Sequence, residues 1–173
     1  GFQNFMRDVK AKNIQMVEPD AFVVGKDLAT TPGKVVFRNR LAELIQYAPS
    51  TPTVHARPFV VVPPCINKYY ILDLQPENSL VRYAAEQGHT VFLVSWRNVS
   101  AEQGRLTWDD YLRDGIMKAI DVAREVAGAD KVNTLGFCVG GTLLASALAV
   151  MKARGEDKVA SMTKLSLLEN PGL

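Results

Sequence analysis

Gly136-Phe137-Cys138-Val139-Gly140-Gly141 follows a short apolar run and opens an alanine- and leucine-rich segment, and its spacing decides the fold. In a sharp strand-to-helix turn, the residues two before and two after the tip pass too close to neighbouring backbone to carry a Cβ. Glycine is therefore required at both places. Cys138 stands at the tip, so its Sγ is predicted to project above the sheet. A helix beginning near Gly140 would aim its unsatisfied N–H groups and positive dipole end at that sulfur, which favours a reactive thiolate. A glycine-rich turn of this kind can instead cradle phosphate. The Walker pattern, however, needs a lysine just before its Ser/Thr, and the dinucleotide fingerprint needs other glycine spacing and a later acidic residue; neither is present. The remaining alternative is a small buried cysteine filling a tight turn.

Working outward, residues 131–135 form the strand that feeds this turn, and residues 141–154 form the helix that leaves it, ending at Gly155. Residues 159–168 are predicted as a further strand. Upstream, residues 58–62 are a β-branched run of the type buried on both faces, closed by Pro63-Pro64, which offer no ladder donor. Residues 78–87 read as a helix with Gly88 at C′, and residues 90–96 as a second buried strand. Thr107 with Asp110 forms a capping box that opens a long helix over residues 108–127, stopped by Gly128. Strands alternating with helices predict an α/β fold with a mainly parallel sheet and reactive groups at the carboxyl ends of its strands. Residues 37–47 read as a strand or an amphipathic turn. The chain divides into a peripheral N-terminal segment, residues 1–50, and part of a catalytic core, residues 51–173.

Composition narrows the function. The chain has 173 residues, 47% of them hydrophobic, which is enough for a substantial core. A net charge of +2 with no long Lys/Arg cluster gives no footing for a nucleic-acid partner, and the apolar runs are too short to span a membrane. No signal peptide pattern opens the chain, and two cysteines do not make a disulfide framework, so a reducing cytoplasm is expected.

Three longer stretches, residues 63–74, 88–98 and 135–142, resemble the class I polyhydroxyalkanoate synthases, in that family's order. The resemblance covers residues 20–163. It implies an α/β-hydrolase core that polymerises (R)-3-hydroxyacyl-CoA, typically 3-hydroxybutyryl-CoA, into a storage polyester, with Cys138 as the acyl-carrying nucleophile. It implies no cofactor and no metal, coenzyme A being part of substrate and product. It further implies a cytoplasmic place at the surface of a hydrophobic polyester granule, and a homodimer in the full-length protein. The α/β-hydrolase arrangement takes one oxyanion donor from the residue after the nucleophile and one from the loop after an earlier strand. Those positions are Val139 and Ile66.

The fold also needs a histidine base and an acid, both after the nucleophile in chain order. The two histidines, His55 and His89, precede Cys138, and both are expected to be structural. The resemblance places base and acid in a C-terminal portion absent here, so this chain alone is expected to be inactive; residues 164–173 also depart from the family pattern. Cys65 and Asp73 are further candidates for lining the site, against a buried small residue and a turn former. Residues 67–70 offer polar and aromatic groups suited to a coenzyme or to solvent. Two other functions compete: a cysteine-elbow hydrolase of the dienelactone type, and a non-catalytic granule- or partner-binding module.

Overall fold

The computed structural model describes residues 1–12, 14 and 21–165. Six strands form one sheet: β1 (Gly33–Arg38), β2 (Ala42–Tyr47), β3 (Phe59–Val62), β4 (Val91–Trp96), β5 (Val132–Phe137) and β6 (Val159–Leu165). Their order is β1-β2-β4-β3-β5-β6. β4, β3, β5 and β6 run parallel, while β2 joins β4, and β1 joins β2, antiparallel.

Period-two alternation splits the buried residues between two faces. Val60, Val62, Phe92, Val94 and Trp96 look one way, into a cluster with Leu143, Leu144, Ala147 and Met151 of helix α5 (Val139–Ala153) and with Ile116 and Ile120. Val61, Val91, Leu93 and Leu135 look the other way, against Val81, Ala84 and Ala85 of helix α2 (Leu80–Glu86). Both faces of the inner strands are thus covered, which is why their sequences are continuously apolar.

The helix ends follow the sequence signals. Ser79 caps α2, its Oγ accepting the Arg82 N–H at 2.9 Å, and Gly88 takes φ +85° just past the end. The Thr107–Asp110 capping box is formed, and Gly128 closes the helix at φ +62°. The expected single helix over residues 108–127 is instead tripartite. Helix α3 (Trp108–Asp110) passes through a π-helical segment, Tyr111–Met117, into helix α4 (Lys118–Ala127). Gly155 follows the end of α5 at φ +73°.

Residues 37–47 fall in a hairpin that belongs to the sheet. Its turn is held by Asn39, whose Oδ1 accepts the N–H groups of Leu41 (2.8 Å) and Ala42 (2.9 Å). β2 pairs directly with β4, and Leu41, Ala42, Leu44 and Tyr47 are buried. The sheet therefore runs across the division drawn at residue 50, with the hairpin at its edge. Before it, helix α1 (Phe2–Ala11) carries exposed Phe2, Phe5 and Val9. Of the strand expected over residues 159–168, the part to Leu165 is formed; residues 166–168, and the departure from the family pattern from residue 166 onward, lie outside the described residues.

β3 leads to its neighbour β4, and the chain then crosses over β3 to reach β5 on its other side. The order reverses between β3 and β5, and at such a switch point the carboxyl ends of two strands open a crevice. The turn carrying Cys138 follows β5, and the loop carrying Cys65 and Ile66 follows β3.

Candidate active site

Cys138 separates β5, ending at Phe137, from α5, beginning at Val139, and adopts φ +53°, ψ −125°. That is a strained conformation for a residue with a side chain, with a typical cost of about 1–3 kcal/mol, and it persists only where surrounding structure enforces it. The enforcement is visible. The Cys138 N–H donates to the Leu165 carbonyl of β6 at 2.8 Å, and its carbonyl accepts the Gly141 N–H at 2.9 Å. A Cβ on Gly136 would lie 2.8 Å from the Gly141 nitrogen and closer still to its Cα. A Cβ on Gly140 would strike the Val62 carbonyl oxygen and sit 2.7 Å from the Pro63 carbonyl carbon. One on Gly141 would lie 2.9 Å from Lys164 Cγ. Three elements, β3, β6 and α5, thus press on the turn, and glycine alone permits the approach. The Cys138 thiol is free and half-buried, neither sealed in the core nor fully open.

Val139 is the first residue of α5, so its N–H is among those an α-helix leaves without an intrahelical partner. Ile66 lies in a turn closed by the Asn67 N–H donating to the Pro64 carbonyl at 3.3 Å, and is 79% exposed. The first turn of α5 packs on Val62 and Pro63, which brings the root of the Ile66 loop against the Cys138 turn.

The other candidates are placed differently. Cys65 is half-buried and packs against the α5-side cluster; burial pushes its thiol up. Asp73 is 1% exposed, and its Oδ1 accepts both the Thr31 hydroxyl and the Ser79 hydroxyl at 2.6 Å. Its carbonyl accepts the Ala29 N–H at 2.9 Å. Asp73 therefore ties the segment before β1 to the α2 cap. Its Oδ2 and the Tyr47 hydroxyl are buried without a hydrogen-bond partner among the described residues, and burial, then the Asp73 charge, pushes the Tyr47 phenol far up. In the loop after β3, Lys68 Nζ donates to Asn98 Oδ1 at 2.8 Å, and burial raises the Tyr69 phenol.

Both histidines sit at the amino-terminal ends of the strands, opposite Cys138. His55 Nε2 lies 3.2 Å from the Gln87 carbonyl, and the two imidazole rings stand 4.6 Å apart. His89 also packs on Phe59, the first residue of β3. Burial, then the adjacent His55, lowers the His89 pKa. Neither ring is positioned to serve Cys138. Among the described residues, no cluster of His, Cys, Asp or Glu suits a metal ion, and no helix is long and apolar enough to cross a membrane.

Sequence reading singled out no role for Trp96 beyond its place at the end of a buried strand. In the structure its indole N–H donates to the Pro63 carbonyl at 2.9 Å, and the π-helical segment lies against its ring. The available signal was Gly115, a glycine inside a helical pattern, which marks close approach.

The geometry agrees with comparisons to known proteins. Residues 1–84 match the family model described as the poly-beta-hydroxybutyrate polymerase (PhaC) N-terminus, and residues 58–171 match that of the alpha/beta hydrolase fold. The chain is 56% identical over 168 residues to the poly(3-hydroxyalkanoate) polymerase subunit PhaC of Cupriavidus necator, covering 97% of this chain and 28% of that protein. It is 48% identical over 153 residues to the poly(3-hydroxyalkanoate) polymerase of Methylorubrum extorquens, covering 88% of this chain and 25% of that one. The chain thus spans about a quarter of the length of these relatives. Among solved structures, epoxide hydrolase A of Mycobacterium thermoresistibile aligns with TM-score 0.53 at 14% identity, over 78% of this chain and 38% of that one. The hormone-sensitive-lipase homologue EstE7, from a metagenome library, aligns with TM-score 0.52 at 15% identity, over 87% and 48%. These two likenesses concern the fold alone. The chain belongs to the alpha/beta hydrolase fold and, within it, to the poly(3-hydroxyalkanoate) polymerase family, of whose length it spans about a quarter.

Proposed function

We propose that this chain carries the nucleophile of an acyltransferase that polymerises (R)-3-hydroxyacyl-CoA, 3-hydroxybutyryl-CoA in the simplest case, into a polyester. The observation that supports it is the strained Cys138 at the β5–α5 junction, in a chain 56% identical to a poly(3-hydroxyalkanoate) polymerase subunit. Cys138 Sγ attacks the thioester carbonyl, and the oxyanion so formed accepts hydrogen bonds from the Val139 and Ile66 N–H groups. On collapse, the bond between carbonyl carbon and coenzyme A sulfur breaks and coenzyme A leaves, its thiolate taking up the proton that Cys138 gave to a base. One thioester replaces another, a step close to thermoneutral. The hydroxyl of the growing chain, giving its proton to a base, then attacks the Cys138 thioester; the bond from carbonyl carbon to Cys138 Sγ breaks and the thiolate, a good leaving group, returns. His55 and His89 lie at the wrong end of the sheet for the base, so base and orienting acid come from outside residues 1–173. Dimerisation of the complete protein, a cytoplasmic site and attachment to an insoluble polyester granule follow from the same reading.

The test is coenzyme A release from 3-hydroxybutyryl-CoA by the full-length protein and by its Cys138→Ala variant. Polymer formation lost in the variant is the expected result, with the 173-residue chain alone producing none. Free hydroxy acid as sole product would favour the ester- or lactone-cleaving alternative instead. Polymer formation that survives Cys138→Ala would refute the nucleophile assignment.

A further inference from the structure

We propose that Trp96 is a positioning residue that sets the oxyanion loop through the Pro63 carbonyl. The inference rests on the acyl-transfer reading of Cys138 and deepens it. Trp96 ends β4 and is 8% exposed; its ring alone would serve the core, yet a buried indole N–H also needs an acceptor. The acceptor is the Pro63 carbonyl, at 2.9 Å, one residue past the end of β3. Pro63 and Pro64 have no N–H, so carbonyls are all that this stretch of backbone offers. The same Pro63 carbonyl lies 2.7 Å from where a Cβ on Gly140 would stand, beside the Val62 carbonyl oxygen, so the peptide is held between the Trp96 indole and the first turn of the helix behind Cys138. Ile66 follows three residues later, inside the Pro64–Asn67 turn. The orientation of the Pro63 peptide therefore fixes how the Ile66 N–H stands relative to the Val139 N–H.

The indole is itself held. A Cβ on Gly115 would lie 2.6 Å from Trp96 Cζ3 and 2.7 Å from Cη2, so glycine is what lets the helix seat on the ring. The Tyr111 ring packs at 5.5 Å, tilted by 42°. Both belong to the π-helical segment, a feature that recurs at functional sites because it re-aims one turn of helix. A second tie joins the same two loops, Lys68 Nζ to Asn98 Oδ1. The order of support is thus π-helical turn, Trp96, Pro63, oxyanion loop.

Alkylation of Cys138 by iodoacetamide needs the sulfur nucleophile but no oxyanion hole, whereas acylation by a thioester needs both; the two rates separate positioning from general damage. In the full-length protein, Trp96→Phe keeps an aromatic ring and removes the N–H. Acyl transfer from 3-hydroxybutyryl-CoA is expected to lose about ten- to a hundredfold in kcat, the range a displaced catalytic group produces. KM and the alkylation rate are expected to stay within about twofold. Replacing Trp96 by its benzothiophene isostere, which keeps ring size and lacks the N–H, gives the same split and covers the case in which phenylalanine packs badly. Unchanged acylation, or acylation and alkylation falling by the same factor, would overturn the proposal. A wild-type protein that is alkylated at Cys138 but never acylated would remove the acyl-transfer reading and this inference with it.

Discussion

At the scale of single residues, the site is a problem of close approach. Gly136, Gly140 and Gly141 let three stretches of backbone converge on one turn, and Cys138 bears the strain. Gly140→Ala is expected to cost about 1–3 kcal/mol, because the atoms it meets are backbone that cannot rotate away. Denaturant unfolding measures it, and an effect below about 0.5 kcal/mol, the ordinary surface range, would mean the packing is not as tight as described. Asp73 is a different kind of residue: it holds Thr31 and Ser79 from inside the protein. Asp73→Ala is expected to destabilise by about 1–3 kcal/mol by orphaning both hydroxyls, with Asp73→Asn, which retains an acceptor, losing less. His89 gives the pH dependence. Its pKa is lowered in the folded chain, so the unfolded chain binds the proton more tightly. Stability is then whole above the ordinary imidazole value of about 6.5 and declines as pH falls through it. Thermal midpoints followed from about pH 7 to about pH 5 are expected to drop, and to drop less in His89→Gln. The turn at Cys138 was legible in the sequence because its signal is steric and local. The clamp made by Asp73 was not, since its partners stand 42 positions before it and 6 after it, and nothing local distinguishes a buried aspartate from a turn former.

At the scale of elements, caps and periodicity were readable while turns built by side chains were not. The strands β3, β4 and β5 stand where their apolar runs predicted them, and Gly88, Gly128 and Gly155 end helices with positive φ. Thr107→Ala is expected to destabilise by about 1 kcal/mol through loss of the capping box, read as a lower unfolding midpoint. The β1–β2 hairpin could not be settled from its pattern. Its turn depends on one side chain, Asn39, accepting two backbone N–H groups, and β1 shifts register by a bulge between Val35 and Phe37 that breaks the alternation. The π-helical segment was hidden for a related reason. Helical periodicity locates a helix, but the extra residue in one turn answers to a partner, the Trp96 ring, that lies on another strand.

At the scale of the whole molecule, strand order does what no single element does. By crossing over β3, the chain brings the ends of β3 and β5 side by side, so that the loop carrying Ile66, 72 positions before Cys138, stands beside its turn. The same topology leaves both histidines at the opposite end, which is why the base is assigned outside these residues. The central claim is that Cys138 carries the acyl group. Its most direct test is intact-protein and peptide mass spectrometry of the full-length protein, quenched with acid after brief exposure to 3-hydroxybutyryl-CoA. The expected result is a hydroxyacyl adduct on the peptide bearing Cys138, removed by neutral hydroxylamine as a thioester is and missing from Cys138→Ala. An adduct on any other residue, or one that persists in Cys138→Ala, would contradict the account.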